Sequence, residues 1–508
     1  MKVLLLYPSY PATFWSFKYA LSFIAKRASY PPLGLMTIAA MLPRDWEVRL
    51  LDMNVRKLRD KDILWADYVF ISAMIVQADS ARGVLERCRD LGVKVVAGGP
   101  LFTNSHEEFA GLVDHLVLNE AEVTLPRFLS DLEKGPPAAM YTSTGWADLS
   151  ASPLPRRELI STRNYGAMNI QYSRGCPFDC EFCNITTLFG RVPRTKTSAQ
   201  MLAELDSIHA LGWKGCVFIV DDNFIGNRAK LKREILPAMI GWMERNRHPF
   251  TFTTEASLNL ADDEELMRLM VRAGFDTVFV GIESPNQDSL NECEKNANKG
   301  RDMVSSIQKM QRFGLEVMGG FIVGFDNDPP TIFDQMIAFI QESSVVTAMV
   351  GMLTALPNTR LYERLVREGR MLERTSGNNT DFTINFRPAM NYESLIKGYE
   401  KVLLSVYSPG NYYRRIHKFL RNYRPSQKKL FHMRFNYIMA VPKSILRIGI
   451  LGRERLHYWK LFFWTLFNKP RLFHHAITLS IYGYHFRKTV RGLLRQRDME
   501  LGSLRHHN

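Results

Sequence analysis

The sequence predicts an α/β chain in three parts: a doubly wound parallel sheet, a partial barrel of six βα units, and a basic helical region at the carboxyl end. Three observations predict it. Apolar, β-rich runs alternate with helical patterns over residues 1–133. Six further strand-like runs, separated by amphipathic helix patterns, recur between residues 166 and 370, and residues 371–508 turn helical. The charge also changes character: residues 411–508 hold 21 Lys+Arg against three acids, a net of +18, which leaves 15 − 18 = −3 for the remainder.

At 508 residues the chain has room for roughly three domains. A hydrophobic share of 46% and a charged share of 23% fit a soluble globular protein with ample core. The opening MKVLLLYP is too short an apolar run for a signal peptide and lacks a small-residue cleavage site. No run of about 18 uncharged apolar residues marks a spanning helix. With cysteines too scattered for a disulfide framework, these features predict a reducing, cytoplasmic setting.

In the first part the strand-like runs are Lys2–Tyr7, Glu47–Asp52, Tyr68–Ala73, Lys94–Gly99 and His115–Glu120, with helical patterns near Leu33–Leu42 and Ser80–Leu91. Short strands with crossover helices imply a parallel sheet wound on both faces. Ligands of such sheets bind at the carboxyl ends of strands, so the candidates are Tyr7-Pro8, Asp52-Met53-Asn54, Ser72-Ala73-Met74, Gly98-Gly99-Pro100 and Asn119-Glu120-Ala121-Glu122. The glycine-rich phosphate fingerprint is missing after the first run, which continues YPSYPATFW, and this weakens a dinucleotide reading. Residues 134–165, with Pro136-Pro137 and Pro153-Leu154-Pro155, read as a linker.

In the second part the runs are Met168–Ser173, Cys216–Asp221, Phe250–Glu255, Thr277–Glu283, Glu316–Phe325 and Thr347–Leu353. Chemistry in parallel barrels collects at the carboxyl ends of strands. Asp221, Asp222, Glu255, Ser257 and Glu283 all fall there. Any one acid alone could be a helix cap or a surface ion pair; their shared position argues for a site. Gly319, Gly320 and Gly324 suit either a ligand's approach or close barrel packing.

Directly after the first barrel run, residues 172–183 read YSRGCPFDCEFC. Half of the six cysteines stand in this C-x3-C-x2-C spacing, while Cys88, Cys216 and Cys293 are scattered. Three close thiolates lack the fourth Cys or His of a structural zinc site. On a cubic iron–sulfur cluster they leave one iron open to another ligand. The segment resembles the signature of radical SAM enzymes, with Phe182 as the aromatic before the last cysteine. The resemblance implies that Cys176, Cys180 and Cys183 hold a 4Fe-4S cluster and that S-adenosyl-L-methionine chelates the open iron. An electron from a donor such as flavodoxin or ferredoxin then cleaves it to a 5′-deoxyadenosyl radical. It also implies Asp221 and Asp222 near the amino group of S-adenosyl-L-methionine, and Glu255, Ser257 and Glu283 near its ribose and carboxylate. Arg174 and Arg194 flank the loop and either tune the cluster or solvate its face.

The sheet, its loops and the segment Tyr30-Pro31-Pro32-Leu33-Gly34-Leu35 resemble the cobalamin-binding, Rossmann-like domain fused to many radical SAM enzymes. By that resemblance Asp52, Asn54, Ser72, Met74, Gly98, Gly99 and Glu120 contact cobalamin, with Gly98-Gly99 admitting its nucleotide tail and Ser72 bonding it. Where related domains carry Asp-x-His-x-x-Gly, this chain reads Asp52-Met53-Asn54-Val55-Arg56-Lys57. Asn54 replaces the cobalt-binding histidine, so the cofactor is expected without a histidine ligand. The methylthiotransferase branch needs three more cysteines in this part; only Cys88 is there.

The third part carries basic amphipathic segments, Asn411–Tyr423 and Leu456–Phe467. They fit either a helical cap with core aromatics or an anionic membrane face that buries Trp459, Phe462, Phe463, Trp464 and Phe467; nucleic acid ranks last as a partner. His474-His475 and His506-His507 have no metal-site companions and read as incidental. Sheet, barrel and basic tail together are similar to the hopanoid C-2 methylases. The resemblance implies methyl transfer to an unactivated carbon of an apolar, isoprenoid-type small molecule or lipid. A ring-forming or rearranging radical enzyme and a cofactor-loaded regulator are the alternatives.

Overall fold

The computed structural model describes residues 1–372, 376–378, 380–425 and 435–505, with backbone only at 435–438 and 500–505. The first sheet holds six parallel strands: β1 (Lys2–Tyr7), β2 (Glu47–Asp52), β3 (Tyr68–Ser72), β4 (Lys94–Gly98), β5 (His115–Val117) and β6 (Met140–Tyr141). Their order is β2-β1-β3-β4-β5-β6. Strand alternation explains why helices cover both faces. Leu4, Leu6, Val69 and Ile71 feed one apolar cluster, while Val3, Leu5, Tyr68 and Phe70 feed the other. The order reverses between β1 and β3, and at that switch point the strand-end loops diverge to leave a crevice.

Residues 134–165, read above as a linker, carry β6 and three single 3-10 turns. Their Arg157 is buried and pairs with Glu204 of the second part at 2.8 Å. β6 is two residues long and is held by its pairing to β5, so it has no periodicity of its own to read.

The second sheet holds β7 (Met168–Ile170), then, beyond the two-residue strands β8 (Ser173–Arg174) and β9 (Arg194–Thr195), β10 (Gly215–Ile219), β11 (Phe250–Glu255), β12 (Phe275–Glu283), β13 (Glu316–Val323) and β14 (Ala348–Met352). The order β14-β13-β12-β11-β10-β7 with parallel pairing is an open, six-stranded partial barrel. β8 and β9 pair only with each other, antiparallel.

Helices Tyr392–Val406, Pro409–Asn422, Arg455–Asn468 and Phe473–Arg505 close the chain. Tyr399, Tyr407, Tyr412, Phe419 and Phe486 join the barrel's own apolar cluster, so most tail aromatics are core. Phe462 packs on Phe473 and Trp464 on His417. Those two therefore face inward, unlike the exposed Phe463 and Phe467. His506-His507 lies outside the described residues.

Candidate active site

The cysteine loop starts from the β8–β9 pairing. Gly175 has φ +95°, and a Cβ there would meet the carbonyls of Gly190, Val192 and Phe189 at 2.9–3.0 Å, so the turn into Cys176 requires glycine. Cys176 N–H donates to the Gly190 carbonyl and Cys183 N–H to that of Cys180. None of the three cysteines is in a disulfide. Burial pushes all three thiols up, Cys183 to about 12. Backbone N–H groups of Phe178 and Ile185 point at the Cys176 and Cys183 sulfurs and favour their thiolates. Buried thiols with N–H donors suit a metal centre that displaces the protons. Among the described residues no three His, Cys, Asp or Glu side chains converge on a single-ion site. Three cysteines on one loop, with no fourth Cys or His in the motif, suit a cubic cluster that leaves one iron open.

The barrel acids face this loop, with distinct tasks. Asp221 is fully buried, accepting from Tyr172 N–H at 2.8 Å and Ser173 Oγ–H at 2.6 Å, and so anchors the loop's first residues. Burial raises its carboxyl to about 6. Asp222 is raised to about 7 by burial and by the Asp221 charge, and it acts electrostatically on Cys176 and Cys183. Glu255, at the end of β11, is raised to about 8 by burial and by Asp222. Ser257 bonds Asn223 and donates to Asn259 at 2.8 Å, and Asn223 Nδ2 stands 4.0 Å from Cys176 Sγ. Phe182 packs against Phe325 at 6.3 Å between ring centres.

Glu283 ends β12 with φ +65° and accepts from Lys295 Nζ at 2.7 Å. Burial alone would lower the Lys295 ammonium, but Glu283, Cys180 and Cys183 outweigh it and raise it. Gly281 makes room for this pair, since a Cβ there would run into both Glu283 Oε1 and Lys295 Nζ. Lys295 escaped the sequence reading because it sits in the irregular loop CEKNANKG, which carries no motif. Gly319 and Gly320 are taken up by packing, a Cβ on Gly320 meeting Phe279 at 2.7 Å.

The loops of the first sheet and the mouth of the barrel enclose a cavity of about 840 Å³, at the large end of small-molecule sites (about 300–1,000 Å³). Asn54, Ser72, Met74, Gly98, Gly99 and Glu120 line it from the sheet side. Asp52 does not: it accepts from both Asn54 N–H groups at 2.8 Å and from Tyr165 Oη–H at 3.1 Å, holding the loop from behind. Asn54 Oδ1 in turn accepts from Tyr10 N–H, so its amide is spent on the loop. Among the described residues no histidine lines it. The missing Cβ atoms of Gly98 and Gly99 are accounted for by Val117 O and Ser72 Oγ, which occupy that space.

Residues between 9 and 35 form a further wall, a contribution of which the sequence flagged only the Tyr30–Leu35 stretch, and Asn169, Gln171, Phe218 and Val220 line the cavity from the barrel. Trp15 donates to Met349 Sδ and meets Phe279 edge-on at 5.2 Å. Tyr30 packs on Phe218 at 5.1 Å, and burial, with the nearby Cys216 and Glu255, raises its phenol. The cavity thus reaches from the sheet to Asn169, Gln171, Phe218 and Val220 of the barrel, and Val220 directly precedes Asp221 and Asp222.

Arg174 and Arg194 neither solvate the loop nor face its sulfurs. Arg174 pairs with Glu120 at 2.9 Å and Glu122 at 2.8 Å, and Arg194 pairs with Glu120 at 2.8 Å. Both arginines belong to the β8–β9 base of the loop, and both acids to the loop and helix after β5. The network ties the cysteine loop to the cavity's sheet wall. A second opening, about 270 Å³, reaches Cys180 and Cys183 from the side of Asn358–Glu363.

Against this geometry, residues 25–129 match a B12 binding domain, residues 170–340 the radical SAM superfamily and residues 359–499 a domain of unknown function. The chain is 40% identical to an uncharacterised methyltransferase of Synechocystis over 96% of its own length and 91% of that protein. It is 33% identical to the hopanoid C-2 methylase of Rhodopseudomonas palustris over 90% of its length and 88% of the methylase.

The chain belongs to the cobalamin-dependent radical SAM methyltransferases. Its cofactors are a 4Fe-4S cluster, S-adenosyl-L-methionine and cobalamin. The radical SAM methyltransferase TsrM of Kitasatospora setae, solved with cobalamin and a 4Fe-4S cluster, shares the fold at TM-score 0.62 and 13% identity, over 88% of this chain and 98% of that one. OxsB, solved with aqua-cobalamin and S-adenosylmethionine, shares it at 0.61 and 15%, over 99% and 81%.

Proposed function

We propose that this methyltransferase places a methyl group on an unactivated carbon of an apolar, isoprenoid-type lipid such as a hopanoid. The observation that carries this reading is the cavity of about 840 Å³ that opens both to the sheet's strand-end loops and to the barrel residues Asn169, Gln171, Phe218 and Val220, the last of these directly preceding Asp221 and Asp222. When bound, the cofactors supply a hydrogen-abstracting radical and a methyl donor. The chain's own work is placement. Cys176, Cys180 and Cys183 hold the cluster, and their loop is anchored by Asp221. Asp222, Glu255, Ser257 and Glu283, with Lys295, surround S-adenosyl-L-methionine. The loops carrying Asn54, Ser72, Met74, Gly98, Gly99 and Glu120 cradle cobalamin, and the aromatic wall of Trp15, Tyr30 and Phe218 excludes water from the space between.

No general base is required of these residues, because the substrate hydrogen leaves as an atom. The opening beside Cys180 and Cys183 suits electron entry from a flavodoxin- or ferredoxin-type donor. The same reading puts the enzyme in the cytoplasm, beside the inner face of the membrane. Similarity to the hopanoid C-2 methylase over nearly the whole chain supports the substrate class. The test is Cys176→Ala, Cys180→Ala or Cys183→Ala in the reconstituted enzyme. Each abolishes deoxyadenosine formation; survival of that product in any of them would overturn the assignment.

A further inference from the structure

The carboxyl-terminal helices carry an exposed face that the chemistry does not use. In the helix Arg455–Asn468, Tyr458, Leu461 and Thr465 face the core. The opposite side presents Leu456, Phe463 and Phe467 at 80%, 49% and 76% exposure. Trp459, Phe463 and Phe467 stack in a row at 5.4 and 6.4 Å along the i, i+4 spacing. The preceding π-helical turn adds Leu446, Ile450 and Leu451, each more than half exposed. Trp459 Nε1–H donates to the Gly449 carbonyl at 3.0 Å, which locks the two segments into one surface.

The rim of this surface is uniformly basic. Arg453, Arg455, Lys460 and Arg471 are exposed. The one acid between residues 435 and 472, Glu454, is buried against Arg487 at 2.5 Å. The segment itself therefore offers no exposed acid to offset the cations where the leucines and phenylalanines emerge. Large exposed apolar patches mark interaction sites. An apolar row with a cation-only rim is the pattern of a helix lying in the headgroup layer of an anionic bilayer. Among the described residues no helix is long and apolar enough to cross a membrane, so contact is from one side.

We propose that residues 446–471 dock this enzyme flat on an anionic lipid surface. This assigns a task to the region whose family has no known function. Its position serves the cavity. Arg447 donates to Ser22 Oγ at 2.7 Å and covers the Phe23 ring at 5.1 Å. Those residues continue the segment whose Thr13–Ser16 and Lys18 wall the cavity. A lipid-borne substrate would thus reach the cavity from the surface on which the enzyme rests.

The surface and the chemistry fail independently. Flotation of the full-length, cofactor-loaded enzyme with phosphatidylglycerol–phosphatidylcholine vesicles, with phosphatidylcholine alone as the control, reads the first; deoxyadenosine formation reads the second. The expected result is binding to the anionic vesicles only. It is released at high salt, as screening shortens from about 10 Å at 0.1 M to about 3 Å at 1 M. Phe463→Ser with Phe467→Ser should weaken it about tenfold or more while deoxyadenosine formation persists. Absence of flotation, or undiminished flotation of the double variant, overturns the proposal. So does a dimer in solution that the double variant converts to monomer, because the face would then be an interface between copies.

Discussion

Lys295 brings an ammonium, paired to a carboxylate, that also acts on the three sulfurs. Its Nζ is held by Glu283 at 2.7 Å and feels Cys176, Cys180 and Cys183. Cluster potentials follow the net charge and hydrogen bonding around the sulfurs. Lys295→Met should let the cluster assemble but lower its midpoint potential by on the order of 60 mV, about a tenfold change for one electron. Electron paramagnetic resonance during a redox titration reads this directly, and Lys295→Arg should recover most of the shift. An unchanged potential would reduce Lys295 to a packing role. The residues legible in the sequence were those whose types announce metal or charge chemistry at a strand end. Lys295 and Asn223 act through distances that only the fold creates. Asp52 looked like a contact but turned out to hold Asn54 from behind.

At the scale of elements, the β8–β9 hairpin and the loop after β5 are joined by buried charge. Burial would raise the Glu122 carboxyl, but hydrogen bonds and charge from Arg174 outweigh it and hold it at about 2, against 4.5 for an ordinary glutamate. A depressed carboxyl stabilises the fold fully above the unfolded value and loses that contribution as pH falls from 4.5 toward 2. The loss is roughly 3 kcal/mol at 1.36 kcal/mol for each pH unit of displacement. Denaturant melts across that window should show the fall, and Glu122→Gln should remove most of its pH dependence. Removing one partner of such a buried pair costs about 3–5 kcal/mol. The strands themselves were readable because each of the long ones carries an apolar run matched to its buried faces. β6 and the helix Ala121–Lys134 were not. The first is two residues long, and the second has Pro126 inside its pattern.

On the scale of the whole molecule, the sheet, the barrel and the tail are ordered around one passage. The cavity floor is the sheet, its roof the barrel mouth, and its side wall residues 9–35, which also contact the last helix: Phe14 stacks on Phe486 at 4.0 Å. This wall explains why three separately legible parts did not reveal their joint site. The segment that closes it has no regular periodicity, and its partners lie more than 300 residues away, as with Trp15 and Met349. The proposed function requires methyl donor, radical source and substrate to meet where the sheet loops and the barrel mouth adjoin. Its most direct measurement is product stoichiometry. The reconstituted enzyme would be given a hopanoid lipid, cobalamin, reductant and S-adenosyl-L-methionine labelled in its methyl group. The account predicts labelled methyl in the lipid, with deoxyadenosine and S-adenosylhomocysteine formed in equal amounts. Deoxyadenosine accompanied by an altered but unmethylated product would contradict it.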